Sequence, residues 1–146
     1  MNIISTQYTL LTQSFELYIA GCTRECKGCF SEETWDFNQG IDYTRWLLDI
    51  DLKIVEFNDL IEWIWVLGGE PLQSDHIELC ALLTSLQKHK KPIVLFTSYE
   101  LDEVPDVIKC KCDYIKTGRY RLDCNDEVEH YGIKLQSTNQ RIWKNE

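Results

Sequence analysis

Cys22, Cys26 and Cys29 stand in a C-x3-C-x2-C run directly after the apolar stretch Phe15-Glu-Leu-Tyr-Ile-Ala20 and Gly21. Three thiolates on one short loop can bind three irons of a cubane iron–sulfur cluster and leave the fourth iron without a protein ligand. An open metal position separates a catalytic centre from a closed structural one, as it does at zinc sites. The alternative is a zinc knuckle, its fourth ligand drawn from Cys80, Cys110, Cys112, Cys124 or His76. Zinc loops usually match one C-x2–4-C pair with a second such pair, and no second pair accompanies this run.

A second group of residues, Gly68-Gly69-Glu70-Pro71, closes the β-branched and aromatic stretch Glu62-Trp-Ile-Trp-Val-Leu67. Glycines let backbone approach a ligand closely, and a proline after the glutamate holds the turn open. A carboxylate and free carbonyls at such a turn suit a ligand ammonium group. The plain alternative is an ordinary strand-to-helix turn. Thr97 and Ser98 end another apolar run and could bond a ribose. Lys116, in Asp113-Tyr-Ile-Lys, is either a partner for a ligand carboxylate or a solvated strand-end lysine. Cys110, Cys112 and Cys124 lack the C-x2-C pairing expected of a second metal site.

These residues need elements to hold them. Residues 14–20 read as a strand, 31–40 as loop with at most one turn, 43–60 as helix and 62–67 as a buried strand. Asp75 with Glu78 three residues on forms a capping-box signature. It opens a helix on which Leu79, Leu82, Leu83 and Leu86 share one face, and Pro92 ends the segment. Residues 93–97 read as a strand, 100–109 as a weaker acidic helix, and 112–116, 131–136 and 141–144 as further strands. Strands alternating with helices predict a mostly parallel α/β sheet. Ligands then gather at the C-terminal ends of the strands, where both the cysteine loop and the Gly68–Pro71 turn fall.

The 146 residues suit one domain with a core of ordinary size. A closed eightfold β/α barrel usually needs about 250 residues, so a barrel here must be partial. The net charge of −9 disfavours nucleic acid, which needs a basic face for its phosphates. No apolar run approaches the roughly 20 residues of a membrane span. Met1-Asn-Ile-Ile-Ser-Thr6 has no basic segment leading into an apolar one, so no secretory signal is expected. Seven cysteines without such a signal point to a reducing, cytoplasmic compartment and to metal or catalytic use.

Taken jointly, the C-x3-C-x2-C loop after one strand and the GGEP turn after another resemble the radical S-adenosylmethionine superfamily. Gly21-Cys-Thr-Arg-Glu-Cys-Lys-Gly-Cys29, Glu33-Thr-Trp-Asp-Phe-Asn38 with Gly40, and the late Ser137-Thr-Asn-Gln-Arg-Ile142 are similar to a narrower family within it. That family is the activating proteins of anaerobic ribonucleoside-triphosphate reductase, and the likeness runs from about residue 15 to 142. The chain departs from the family in three places. Gly28 stands where many members carry an aromatic residue, Glu70 where aspartate is common, and Ser5-Thr-Gln-Tyr8 where a glycine-rich stretch is usual.

The resemblance implies a compact partial (β/α) barrel of the radical S-adenosylmethionine type, a single domain over residues 1–146. It implies that Cys22, Cys26 and Cys29 hold a [4Fe–4S] cluster whose fourth iron takes the amino and carboxylate groups of S-adenosylmethionine. Gly68, Gly69, Glu70 and Pro71 would form the methionine side of the site, with Thr97 near the ribose and Lys116 near the carboxylate. Gly28, Cys29 and Phe30 would line the adenosyl group. One-electron cleavage would give a 5′-deoxyadenosyl radical that takes a glycine α-hydrogen from the large reductase subunit, the electron coming from a donor such as a flavodoxin. The rivals are an activase of another glycyl-radical enzyme, a small radical enzyme acting on a metabolite, or a zinc-stabilised binding module.

Overall fold

Apolar side chains on both sides of the central strands dictate a sheet covered on both faces. The computed structural model describes residues 1–146. Nine strands form: β1 (Asn2–Thr9), β2 (Ser14–Ile19), β3 (Ile41–Asp42), β4 (Trp63–Gly68), β5 (Ile93–Phe96), β6 (Tyr114–Thr117), β7 (Val128–His130), β8 (Ile133–Leu135) and β9 (Arg141–Lys144). Three helices join them: α1 (Leu47–Glu56), α2 (His76–Gln87) and α3 (Asp106–Lys109). The main sheet runs in the order β3-β1-β2-β4-β5-β6-β9, and β7 and β8 form a separate hairpin. The central strands β2, β4, β5 and β6 are mutually parallel, whereas β1, β3 and β9 join antiparallel at the margins. The sheet is therefore mixed, and its two outermost strands do not pair with each other.

Strand alternation separates two cores. Phe15, Leu17 and Ile19 of β2, Ile64 and Val66 of β4, Ile93 and Leu95 of β5 and Ile115 of β6 face the helices. There they meet Ile50, Ile54, Leu79, Leu82, Leu83, Leu86 and Ile108. The opposite face carries Trp65, Val94 and Ile142, covered by Ile133 and Leu135 of the hairpin. Each of these side chains is nearly or wholly buried, so the two layers together supply the main stabilising term, about 25 cal/mol per Å² of apolar surface removed from water.

Local sequence chemistry explains most of the boundaries, and the structure corrects the rest. Asp75 caps α2 through the backbone N–H groups of Ile77 and Glu78. Glu78 does not return the favour: its carboxylate pairs with the Met1 ammonium instead, so the capping box is only half formed. The acidic segment near 100–109 is not one helix. A 3-10 turn at Leu101–Glu103 and the single turn of α3 flank Pro105, which blocks a continuous helix. The polar alternation of Asn2–Thr9 forms the long strand β1, which the sequence reading left unassigned. Its partner is β2, in antiparallel register from Ile3–Ile19 to Thr9–Ser14 with one irregularity. No helix is long and apolar enough to cross a membrane.

Candidate iron–sulfur site at the strand rim

Four parallel strands end at one rim, and each delivers part of the site. After β2 comes Gly21 and the cysteine loop; after β4, the Gly69–Pro71 turn; after β5, Thr97 and Ser98; after β6, Gly118 and Arg119. Between them lies a cavity of about 180 Å³. Cys22, Cys26, Cys29, Gly68, Gly69, Glu70, Thr97 and Lys116 all line it. Gly28, Phe30 and Pro71 do not. Phe30 is an exposed ring set edge-on against Tyr120 at 5.3 Å, and Gly28 sits beside Tyr120 and Leu122. Pro71 is buried as the first residue of a 3-10 turn. Through Cys26 and Tyr120 the rim cavity adjoins a larger one of about 690 Å³, lined by Lys27 and residues 119–123.

Every one of the three sulfurs accepts an N–H. The backbone of Arg24 donates to Cys22 Sγ at 3.4 Å, and that of Ser31 to Cys29 Sγ at 3.4 Å. The Arg119 guanidinium donates to Cys26 Sγ at 3.2 Å and to the Arg24 carbonyl at 2.5 Å. Such donors stabilise negative charge on sulfur, as an iron–sulfur ligand set requires. All seven cysteines are free thiols. Burial pushes the Cys22 thiol up, partly offset by the Arg24 N–H, so its proton has to leave when metal binds. No three His, Cys, Asp or Glu side chains converge closely enough to grip one metal ion. A cubane spreads its ligands over separate irons, so the looser spacing suits it better than a single zinc. The residues therefore fit a cluster held at three corners.

The glycine pair serves the chain's own backbone. Gly69 N–H donates to the Ile19 carbonyl at 2.8 Å, and Glu70 N–H to the Gly21 carbonyl at 2.7 Å. A Cβ on Gly69 would lie 2.3 Å from the Gly21 oxygen, and one on Gly68, where φ is +114°, would lie 2.6 Å from the Ile19 nitrogen. The two turns are packed backbone to backbone, which fixes the cysteine loop relative to β4. Gly69→Ala should therefore destabilise the protein by about 1–3 kcal/mol and lower its iron content, measured by thermal melts and iron assay.

Glu70 is buried, and its carboxylate is already filled. Oε1 accepts from Leu72 N–H at 3.1 Å and Thr97 Oγ1 at 2.7 Å; Oε2 accepts from Ser98 N–H at 2.7 Å and Ser98 Oγ at 2.5 Å. Four donors match the roughly four lone-pair sites of a carboxylate. The Thr97 and Ser98 hydroxyls are thus turned to Glu70, and Glu70 ties the β4 and β5 turns together.

Lys116 is not a solvated strand-end residue. Its Nζ donates to the Gly118 carbonyl at 3.0 Å in the cavity wall. Burial pulls its pKa down to about 8, against the opposing pull of Glu70 and Cys26. The folded value lies below the ordinary 10.5, so between about 8 and 10.5 the unfolded chain holds the extra proton and stability rises with pH. Lys116→Met should remove that rise from the stability profile of the cluster-free protein. At neutral pH it should stabilise by up to about 3 kcal/mol, read from denaturant melts at several pH values.

The sequence reading missed four residues at this rim. Arg24 lies between two of the cysteines; its guanidinium stacks on Tyr99 at 4.0 Å, and its buried Nε has no partner. Arg119 follows Gly118 by one position at the same rim. Asn139 Nδ2 donates to the Arg119 carbonyl at 2.8 Å, and Gln140 Nε2 to the Gly118 carbonyl at 3.2 Å. Their only signal was position, inside the cysteine loop, just past a strand end or within the late NQRI stretch. Cys80, Cys110, Cys112 and Cys124 do not line the rim cavity, and His76 bonds the Leu72 carbonyl.

Comparison with known proteins agrees with this geometry. The family model for a 4Fe-4S single cluster domain matches residues 13–143. The chain is 28% identical over 133 residues to the anaerobic ribonucleoside-triphosphate reductase-activating protein of Enterobacteria phage T4, covering 88% of this chain and 82% of that one. It is 31% identical over 110 residues to the protein of the same name from Haemophilus influenzae, covering 68% and 66%. With the Escherichia coli protein of that name the identity is 30% over 94 residues, or 60% of each chain. The match thus spans less than two thirds of these two bacterial relatives, 66% of one and 60% of the other. One domain model matching residues 13–143 makes this chain a member of the 4Fe-4S single cluster domain family, and it is similar to the reductase-activating proteins.

Proposed function

We propose that this chain is a radical S-adenosylmethionine activase of anaerobic ribonucleoside-triphosphate reductase, one domain over residues 1–146 acting in the reducing cytoplasm. The observation that carries the reading is the trio of N–H-supported cysteine sulfurs on the cavity that also holds the Gly68–Glu70 turn. The homologues' shared name supports the choice of reductase. Cys22, Cys26 and Cys29 hold a [4Fe–4S] cluster at three corners. When bound, the cluster and S-adenosylmethionine supply a one-electron cleavage of the sulfonium S–C5′ bond, giving methionine and a 5′-deoxyadenosyl radical that takes a glycine α-hydrogen from the large reductase subunit.

The chain's own groups do the orienting. The Gly68 and Gly69 backbone receives the methionine ammonium. Glu70, saturated by its four donors, fixes the shape of that turn and acts as a positioning residue. Lys116 faces the carboxylate as a cation whose pKa burial lowers to about 8. The larger cavity beside Cys26 and Tyr120 has room for the adenosyl group, with Gly28 and Phe30 at its edge. The open seven-stranded sheet, read as a partial barrel, leaves the rim accessible to a protein segment. A low-potential protein such as a flavodoxin provides the electron.

Anaerobic reconstitution with iron and sulfide tests the reading. About four irons per chain, with methionine and 5′-deoxyadenosine formed on adding dithionite and S-adenosylmethionine, are expected. A colourless protein that retains one zinc and cleaves nothing overturns it.

A further inference from the structure

We infer that Arg119, held in place by the Asn139–Gln140 corner, sets the reduction potential of the cluster bound by Cys22, Cys26 and Cys29. The inference rests on the ligand assignment proposed above and adds to it a positioning device built from three residues remote in sequence from the cysteines.

The first observation is the contact itself. Cys26 is the most buried of the three cysteines, and it alone accepts from a charged side chain. The Cys22 and Cys29 sulfurs accept from neutral backbone N–H groups two residues further on. A guanidinium stays protonated at any workable pH, so its charge beside Cys26 is permanent. Its planar fork also grips the Arg24 carbonyl, so one side chain holds both the sulfur and the loop that bears it.

The second observation is what holds Arg119. Gly118 adopts φ of +95°, and a Cβ there would stand 3.2 Å from Gln140 Cα. Asn139 and Gln140 donate to the carbonyls of Arg119 and Gly118, and Lys116 Nζ shares the Gly118 carbonyl. Gln140 is 3% exposed, and its Oε1 accepts from the backbone of Gln136 and Ser137. A buried amide bonded through both its oxygen and its nitrogen is a rigid anchor. The corner therefore clamps the 118–119 turn while the turn directs the guanidinium at Cys26.

Charge decides the direction of the effect. Taking up one electron from a donor such as dithionite adds a unit of negative charge to the ligated irons and sulfurs. A fixed cation and an N–H on a ligand sulfur favour that more negative state, so they raise the potential. Removing them should make reduction harder.

The test is an anaerobic, dye-mediated redox titration of the reconstituted full chain, followed by EPR of the reduced form. Arg119→Met should shift the reduction equilibrium about tenfold against the reduced state, about 59 mV for one electron. Arg119→Lys keeps the charge without the fork and should shift it less. Asn139→Ala should shift it in the same direction with iron content unchanged. Where Arg119→Met loses its iron, the other two variants decide. An unmoved midpoint in the variants that keep their iron overturns the inference and leaves the ligand assignment standing. A wild-type chain that assembles no cluster removes both.

Discussion

Cys22→Ser should yield a folded protein that no longer assembles an intact cluster and forms no 5′-deoxyadenosine above background. Cys22 is half-buried and belongs to neither apolar core, so its loss leaves both layers of packing untouched. Serine preserves the volume but is a poor ligand for iron, since the alkoxide it would need is far harder to form than a thiolate. Its hydroxyl still receives the Arg24 N–H, so the loop keeps its shape. Far-UV circular dichroism and the melting temperature should match wild type, while iron content and the visible absorption of the reconstituted protein collapse. A variant that keeps full iron and full cleavage contradicts the assignment of Cys22.

The second large effect is structural, and it separates two kinds of substitution at one buried carboxylate. Glu70→Gln keeps the shape but replaces one acceptor oxygen by an NH2 group. The Thr97 and Ser98 hydroxyls can rotate to accept from it. The backbone N–H groups of Leu72 and Ser98 cannot. They address different carboxylate oxygens, so either orientation of the amide sets two donors against each other. One lost buried bond costs about 1–3 kcal/mol. Glu70→Ala strands both N–H groups and should cost roughly twice as much, lowering the melting temperature by on the order of 10 °C. Thermal melts of the two variants should give the order wild type, Gln, Ala. Because Glu70 N–H also anchors the Gly21 carbonyl, iron incorporation should fall in the same order.

The rim was legible because strand ends announce themselves. The apolar stretches before Gly21 and Gly68, and those ending near Thr97 and Lys116, gave the four parallel strands and placed the cysteine loop and GGEP turn together. Spacing identified the sulfurs. It could not give the role of the glycine pair, since close approach to a ligand and close approach to another strand demand the same residue. The acceptor count at Glu70 was equally hidden: a carboxylate free for an ammonium and one saturated by Leu72, Thr97 and Ser98 have the same sequence signature. Arg119, Asn139 and Gln140 meet Cys26 and the 118–119 turn only through tertiary structure. The strand β1 escaped notice because Asn2–Thr9 is mostly polar on one side, as an outer strand can be. The unbroken acidic helix near 100–109 failed at Pro105.

The most direct test of the whole account brings the partner in. Reconstituted protein, dithionite and S-adenosylmethionine are mixed anaerobically with the large subunit of an anaerobic ribonucleoside-triphosphate reductase, and the EPR spectrum of the large subunit is recorded. A glycyl radical that grows with 5′-deoxyadenosine and is absent with Cys22→Ser is the predicted result. Ample 5′-deoxyadenosine with no radical on the reductase contradicts the activase assignment.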